Sequence, residues 1–290
     1  MIKGRGNAKA LALAAAIGGA AAGMLAIVLF AGGGASAFGS AARAQSLTVP
    51  LPPAASDHIY ASPIARGRPI VVLDAGHGGR DPGAMGVTSS AAEKELTLAL
   101  ARELRDRLVE RGRVRVAMTR EGDRSLSLDQ RAAVARRLNA AMFVSLHMDS
   151  AANPLARGAS VYSLSDIASD AEAAALAASL NANAAGSAGD GSVEALLSDL
   201  VMRAQMSASA NLAMRVIGRS TGRFELRPDP HRFAAFHVLR RAGSPAVLFE
   251  AGYLSNVDDE ALLRSPAHRS AVVSALAGAI EADVAVRSSR

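Results

Sequence analysis

The chain has 290 residues, half of them apolar, so it can bury a substantial hydrophobic core and is not an intrinsically disordered protein. Cysteine is absent, which excludes disulfide bonds, thiolate metal ligands and a cysteine nucleophile. The formal net charge of +6 is concentrated before residue 70, where six basic residues face one acid, and the remaining 26 basic and 25 acidic residues nearly cancel. A nearly neutral globular part without tryptophan argues against a nucleic acid partner.

The N-terminal segment has the pattern of an export signal. Three basic residues precede an apolar run over 10–31, and small-residue cleavage sites of the A-x-A type follow. Because the run approaches the roughly 20 residues that span a bilayer, residues 1–44 are predicted to be a signal peptide or an N-terminal membrane anchor. Both interpretations predict an exported protein of the periplasm or cell envelope. A Pro-rich linker is expected over 45–68 and one folded domain over 69–286.

Strands and helices alternate through this domain. Apolar runs predict strands at 70–73, 114–118, 141–146, 158–164 and 245–249. Helical periodicity, with Ser127 and Ser265 as capping residues, predicts helices at 93–112, 127–138, 170–180 and 194–217 and from 265 onward, and residues 181–192 are expected to form a loop. The alternation predicts an α/β fold with a single mixed, largely parallel sheet flanked by helices.

Polar residues follow three of the predicted strands. The stretch VVLDAGHGGRDPGAMG, Val71 to Gly86, carries the first histidine, His77, and the strand at 141–146 leads directly into His147. The last strand ends at Glu250, and Glu93 begins the first helix. Residues at the carboxyl ends of neighbouring parallel strands converge on one crevice. Two imidazoles and a carboxylate are the ligands of a hydrolytic zinc. The alternative is a glycine-rich turn with a surface imidazole, since no H-E-x-x-H motif fixes the spacing.

Five ordered blocks carry a resemblance to a known family: LDAGHGGRDPGAMG, EKELTLALARELRDRL, SLDQRAAVAR, MFVSLHMDSAANP and SPAVLFEAGYLSNVDDEALL. Together they resemble the zinc-dependent N-acetylmuramoyl-L-alanine amidases of type 3, over roughly 70–285. The resemblance implies that His77, Glu93 and His147 bind Zn²⁺ and that Glu250 is the catalytic carboxylate. It also implies a peptidoglycan substrate, cut between N-acetylmuramic acid and the L-alanine of the stem peptide during cell separation or wall turnover.

Four further polar residues near these blocks have two interpretations each. Asp74 and Asp149 either support the site, with Asp74 orienting His77, or stabilise turns. Arg131 occupies a position like that in the family, although an exposed helix face is the simpler expectation for an arginine. Asn256 is expected to cap the following turn rather than to touch substrate.

A helical insertion is expected near 179–205. In cell-division members of the family, a segment at this place covers the zinc, often through the glutamate of a Glu-Asn pair, until a LytM-type activator displaces it. This chain reads Leu180-Asn181 where that pair aligns, so the inhibitory carboxylate is missing there, and only Asp190 or Glu194 could replace it. Because the insertion lies at the right place, regulation by an activator is expected. Because the carboxylate is missing, autoinhibition by the insertion stays open.

Two other functions compete with a zinc amidase. Residues 218–222 match G-x-S-x-G around Ser220, the motif of a serine hydrolase, but a helix rather than a strand is predicted before the serine. A catalytically weak peptidoglycan-binding or activator module is the second alternative. A degenerate site would lack one of the four proposed residues, and all four are present.

Overall fold

A computed structural model describes residues 57–182 and 193–289, with side chains for all of these except 193–198. Seven strands are present in this part of the chain: β1 (Ile59–Tyr60), β2 (Ile70–Ala75), β3 (Arg115–Met118), β4 (Met142–Asp149), β5 (Ala159–Leu164), β6 (Leu226–Ala234) and β7 (Ala246–Tyr253). The α-helices of the described residues are α1 (Glu93–Arg111), α2 (Leu128–Arg137), α3 (Ala171–Asn181), α4 (Val193–Ser220), α5 (His237–Arg241), α6 (Val257–Arg264) and α7 (Pro266–Ser288).

The strands form one sheet in the order β1-β3-β2-β4-β7-β5-β6. Four of the six strand pairs are parallel, while β1 runs antiparallel to β3 and β5 antiparallel to β7. The predicted mixed, largely parallel sheet is therefore confirmed. Because β2, β4 and β7 are neighbours, their carboxyl ends lie side by side at one edge of the sheet.

Both faces of the sheet are buried, which explains why the central strands are continuous apolar runs instead of alternating ones. One core cluster joins the sheet to α1, α7 and the second half of α4, with Leu104, Leu212 and Leu276 fully buried. The second cluster lies under α2, α3 and α5, with Phe143, Tyr162 and Phe236 as its largest members.

Capping interactions mark the end of α1 and the starts of α2 and α7 at the residues where the sequence predicts them. Ser127 and Gln130 form a reciprocal capping box at the start of α2. Gly112 ends α1 in the left-handed conformation, with φ of 63°. Ser265 caps α7 directly before Pro266.

Some elements were not predicted. The sequence predicts no strand between 218 and 244, yet Leu226–Ala234 is a strand. Pro228 and Pro230 are tolerated because β6 is the edge of the sheet, where part of the backbone needs no ladder partner. The short α5 and α6 lacked enough turns to show helical periodicity.

One strand of the sheet lies before residue 69, where the folded domain is predicted to begin. Ile59–Tyr60 lies inside the predicted linker and pairs with β3 through Ile59 and Ala117. Among the described residues, no helix combines the length and the apolar character needed to cross a membrane. The predicted signal or anchor and the first part of the linker lie outside this described part of the chain.

Candidate metal centre

His77, Glu93 and His147 come together at the carboxyl end of β2 and β4. Each contributes one ligand-type atom, and these atoms lie within 4.8 Å of one another. Glu93 lies between the two rings, with Oε2 3.0 Å from His77 Nε2 and Oε1 2.9 Å from His147 Nδ1. The main-chain N–H groups of Ala84 and Met148 also donate to the Glu93 carboxylate, at 2.9 and 3.1 Å. These four contacts hold the carboxylate between the two rings.

The charge state of Glu93 follows from this setting. Burial by itself would raise the pKa of Glu93, but the hydrogen bonds and positive charge of His147 and His77 outweigh it and lower the pKa. At His77, burial alone would lower the pKa. The hydrogen bonds and negative charges of Glu93 and Asp81 outweigh burial, so the pKa of His77 is raised. Glu93 is therefore ionised at neutral pH.

His77 contacts Asp81, whereas Asp74, for which orienting His77 was one of two interpretations, pairs with Arg131. Asp81 Oδ2 lies 2.8 Å from His77 Nδ1, and Asp81 Oδ1 accepts from the Gly83 N–H at 3.1 Å. A tight turn closed by a bridge between Gly78 and Asp81 makes this contact. The sequence signal was the His–Asp spacing of four inside a glycine-rich turn. Its meaning depends on the turn geometry, which spacing alone does not give.

Asp74 and Arg131 form a buried ion pair beneath the site. Asp74 Oδ1 lies 2.8 Å from Arg131 Nη1, and Thr119 and Ser145 donate to the same carboxylate at 2.6 and 2.8 Å. Burial alone would raise the pKa of Asp74, but Arg131 and the two hydroxyl groups lower it. The expectation of an exposed Arg131 was wrong, because the helix face that carries it packs on a carboxylate from β2.

Glu250 lies beside His147 on the neighbouring strand. The two residues are in register across β4 and β7, and adjacent strands are about 4.8 Å apart. Glu250 is 1% exposed, and its Oε2 has no hydrogen-bond partner among the described residues. Burial, followed by the negative charges of Asp149 and Glu93, raises the pKa of Glu250 well above its usual value. A carboxylate with a raised pKa can both accept and return a proton near neutral pH.

Asp149 is the second buried carboxylate of this region. Its Oδ1 accepts from the Ser150 N–H at 2.7 Å, while Oδ2 has no partner in the described part of the chain. Burial raises the pKa of Asp149 to about 6. The structure thus places Asp149 beside the site, at the wall of the cleft described next.

A cleft of about 700 Å³ opens over these residues. Its lining includes the His-Glu-His cluster, Asp149 and Glu250. Apolar side chains from the α2 start, the α5 region and β7 also line it: Leu126, Leu128, Phe236, Val238 and Leu248. Helix α3 contributes Glu172, Leu176 and Leu180. The cleft therefore combines a cluster of titratable groups with apolar side chains, as ligand sites commonly do.

Helix α3 is attached at both ends. Near its start, Arg232 pairs with Asp170, and Glu172 accepts two hydrogen bonds from Arg227, at 2.7 and 3.1 Å. At its end, Asn181 donates to the Ala235 carbonyl at 2.7 Å and accepts from the His237 N–H at 2.8 Å. Asn181 therefore connects the C-terminal end of α3 to the segment between β6 and α5.

The remaining predicted residues fall as follows. Asn256 caps α6 by accepting from the N–H groups of Asp258 and Asp259, as predicted. Ser220 is fully buried at the end of α4 and donates to the Val216 carbonyl at 2.8 Å, so it follows a helix and has no nucleophile-elbow geometry. Asp190 and the side chain of Glu194 lie outside the described residues.

The donor set fits a zinc ion. Two histidines and one glutamate are a known ligand set of catalytic zinc sites, which keep a fourth position for water. The backbone is shaped around the three side chains. A Cβ atom at Gly76 would lie 2.6 Å from His147 Nε2, and one at Gly83 would lie 2.7 Å from His77 Cδ2. Glycine at both positions lets the chain pass close to the ligands.

A His-Glu-His cluster that could hold a metal ion, beside a buried carboxylate at the carboxyl ends of parallel strands, is an arrangement typical of hydrolases. The family model described as N-acetylmuramoyl-L-alanine amidase matches residues 71–282. The chain belongs to this family.

Relatives from several bacteria agree with this membership. The chain is 33% identical over 217 residues to N-acetylmuramoyl-L-alanine amidase AmiA of Escherichia coli, covering 73% of this chain and 74% of the relative. It is 35% identical over 222 residues to N-acetylmuramoyl-L-alanine amidase AmiC of Neisseria meningitidis, covering 74% of this chain but only 52% of that relative. The chain thus spans about half the length of the Neisseria protein. The structure of N-acetylmuramoyl-L-alanine amidase AmiC2 of Nostoc punctiforme is similar with a TM-score of 0.54 and 27% identity, covering 74% of this chain and 96% of that one.

Proposed function

We propose that this chain is a zinc-dependent N-acetylmuramoyl-L-alanine amidase that cleaves peptidoglycan between N-acetylmuramic acid and the L-alanine of the stem peptide. The observation that carries the proposal is the convergence of His77, Glu93 and His147 within 4.8 Å, with Glu250 in register beside His147. Family membership supports the choice of this bond. We further propose roles in cell separation or wall turnover.

The chemistry divides between a metal and the residues around it. Bound zinc would polarise the amide carbonyl and lower the pKa of a coordinated water to about 7. Glu250 would accept the proton of the attacking water at its unpartnered Oε2 and return it to the amide nitrogen, which leaves only when protonated. Asp81 would keep the Nε2 atom of His77 directed into the site.

The test uses the purified full chain and dye-labelled sacculi. Wild type should release dye, with new L-alanine N-termini in the soluble products, and chelation should abolish the release. Glu250→Gln should release dye about 10²–10⁴ times more slowly at unchanged zinc content, because it removes only the proton carrier. Glu281→Gln is the matched control, since Glu281 is also buried but pairs with Arg111 on α1.

Two outcomes would contradict this function. Equal release by wild type and Glu250→Gln would refute the role of Glu250. Binding to sacculi without any release, by wild type and by a chain that lacks 181–198 alike, would instead favour a peptidoglycan-binding or activator module.

We extend the proposal to location and regulation. Residues 1–44 would export the protein to the periplasm or cell envelope, as a cleaved signal or as a membrane anchor. A LytM-type activator would act on α3, which forms one wall of the cleft and ends at Leu180 and Asn181. Deletion of 181–198 should raise release in the absence of activator if this insertion restrains the enzyme, and unchanged release would refute the restraint.

A further inference from the structure

Two buried arginines lie behind the turn that carries His77. Arg120 is 0% exposed and Arg131 is 4% exposed. Arg120 donates to the carbonyls of Ala75 and Gly76 at 2.9 and 2.8 Å. Arg131 donates to the carbonyls of Ala75 and His77 at 2.7 and 2.6 Å. Three consecutive carbonyl groups therefore receive hydrogen bonds from two guanidinium groups.

The backbone at this turn is in a conformation that side chains disfavour. His77 has φ of 58°, in the left-handed region, and only one other non-glycine residue of the described chain, Asn139, has a positive φ. Such a residue keeps this conformation only when its surroundings fix it. The bond from Arg131 acts on the carbonyl of His77 itself. The residue before it, Gly76, packs directly against the His147 ring, so the turn has little room to shift.

The two arginines differ in how their charge is compensated. Arg131 is paired with Asp74. Arg120 reaches the carbonyls of Lys94 and Gly122, at 2.7 and 3.2 Å, in addition to those of the turn. Burial and then the charge of Arg131 lower the pKa of Arg120 to about 10, so the Arg120 guanidinium group is still charged at neutral pH. Placing two buried cations side by side is costly, which indicates that their hydrogen bonds serve a purpose beyond filling the core.

We propose that Arg120 and Arg131 are positioning residues of the metal centre, which together hold the carbonyls of residues 75–77 and keep His77 in the left-handed conformation that turns Nε2 toward Glu93. The planar guanidinium group offers several donors in a fixed fork, whereas a lysine ammonium at the same place cannot reach two carbonyls and a carboxylate together. This inference rests on the zinc site proposed above.

The test compares lysine variants of three buried arginines in the full chain. Arg120→Lys and Arg131→Lys keep the positive charge, so Asp74 stays compensated, but lose the fork. Arg232→Lys is the matched control, because Arg232 is 5% exposed and its ion pairs go to Asp170 and Glu172 on the α3 side of the cleft. Thermal unfolding of the metal-free proteins first sets a temperature at which all are folded. At that temperature, the zinc Kd is measured by competition with a chromogenic chelator, and the visible spectrum of the Co²⁺ forms is recorded.

Both turn variants should bind zinc with a Kd raised about 10–100-fold, the usual effect of losing a residue that orients a ligand, and should change the Co²⁺ spectrum. The Arg232→Lys protein should keep the wild-type Kd and spectrum. If either lysine variant does not fold, Thr97→Val decides in its place, because Thr97 Oγ1 donates to the Gly76 carbonyl at 3.0 Å and carries no charge. It should raise the Kd by a smaller factor, about 3–10-fold.

Folded variants with a lower melting temperature but the wild-type zinc Kd and Co²⁺ spectrum would overturn the inference, because the arginines would then only stabilise the fold. An effect equal to that of Arg232→Lys would overturn it as well. A wild-type chain that binds no zinc would refute the proposed function itself, and with it this inference, so the two failures are distinguishable.

Discussion

Substitution of Gly76 tests whether the backbone of the turn and the His147 ring pack without spare space. The substitution Gly76→Ala adds a single methyl group, which would lie 2.6 Å from His147 Nε2 and 2.7 Å from Nδ1. The methyl group would lie still closer to Cε1 of the ring, and ordinary contact begins at 3.4 Å, so the ring or the turn must move by about 1 Å. The φ of Gly76 is not positive, and the clash with His147 is therefore the main obstacle to alanine.

A displacement of this size should be decisive for catalysis, because a misplacement of about 1 Å costs roughly 10²-fold in rate. We expect Gly76→Ala to lower dye release from labelled sacculi about 100-fold and to weaken zinc binding by a similar factor. Gly122→Ala is the control, since no atom lies within 4 Å of its added Cβ and its φ is not positive. Wild-type release and zinc affinity in a folded Gly76→Ala protein would refute the idea that the turn and the ring share one tightly filled space.

Three further changes test single contacts around the cleft. Asp81→Asn should raise the zinc Kd about 10–100-fold because it weakens the partner of His77 Nδ1, and an unchanged Kd would argue against this orienting role. In the metal-free protein, Glu250 holds its proton more tightly when folded than when unfolded, so its carboxyl group costs stability as the pH rises above about 4.5. Glu250→Gln should therefore melt at a higher temperature than wild type at pH 7, with the difference shrinking toward pH 4, and a lower melting temperature at pH 7 would contradict the raised pKa. Asn181→Ala removes two hydrogen bonds worth about 2 kcal/mol together, so amide exchange in α3 should speed up roughly 30-fold, whereas Asn153→Ala in an exposed loop should leave α3 unchanged.

The fold and the main residues of the centre could be predicted because their signals are local. An apolar run marks each central strand, and the polarity of a parallel sheet places the residues after those strands together. His77, His147 and Glu250 follow from that rule without any knowledge of distances. Edge strand β6 escaped prediction because its two prolines remove the pattern of an interior strand.

The supporting contacts could not be predicted because they depend on partners that are far apart in sequence. Arg131 is buried only because Asp74, 57 residues earlier, neutralises it. Its own helix gives an amphipathic pattern in which an arginine is expected outside. The contact between His77 and Asp81 could not be predicted for a different reason. It depends on the left-handed backbone at His77, a conformation that a non-glycine residue rarely adopts.

The two glutamates of the centre acquire opposite properties from their surroundings. Glu93 accepts hydrogen bonds from two main-chain N–H groups and contacts two imidazoles, so its pKa is lowered and it suits a permanently charged ligand. Glu250 lies on β7 and is also buried, and burial together with the negative charges of Asp149 and Glu93 raises its pKa. A pair of carboxylates whose environments push their pKa values apart is the arrangement that separates binding from proton transfer. The two side chains are chemically identical, so their opposite pKa shifts come from their surroundings: main-chain donors at the α1 start for Glu93, and no partner for Glu250 Oε2 among the described residues.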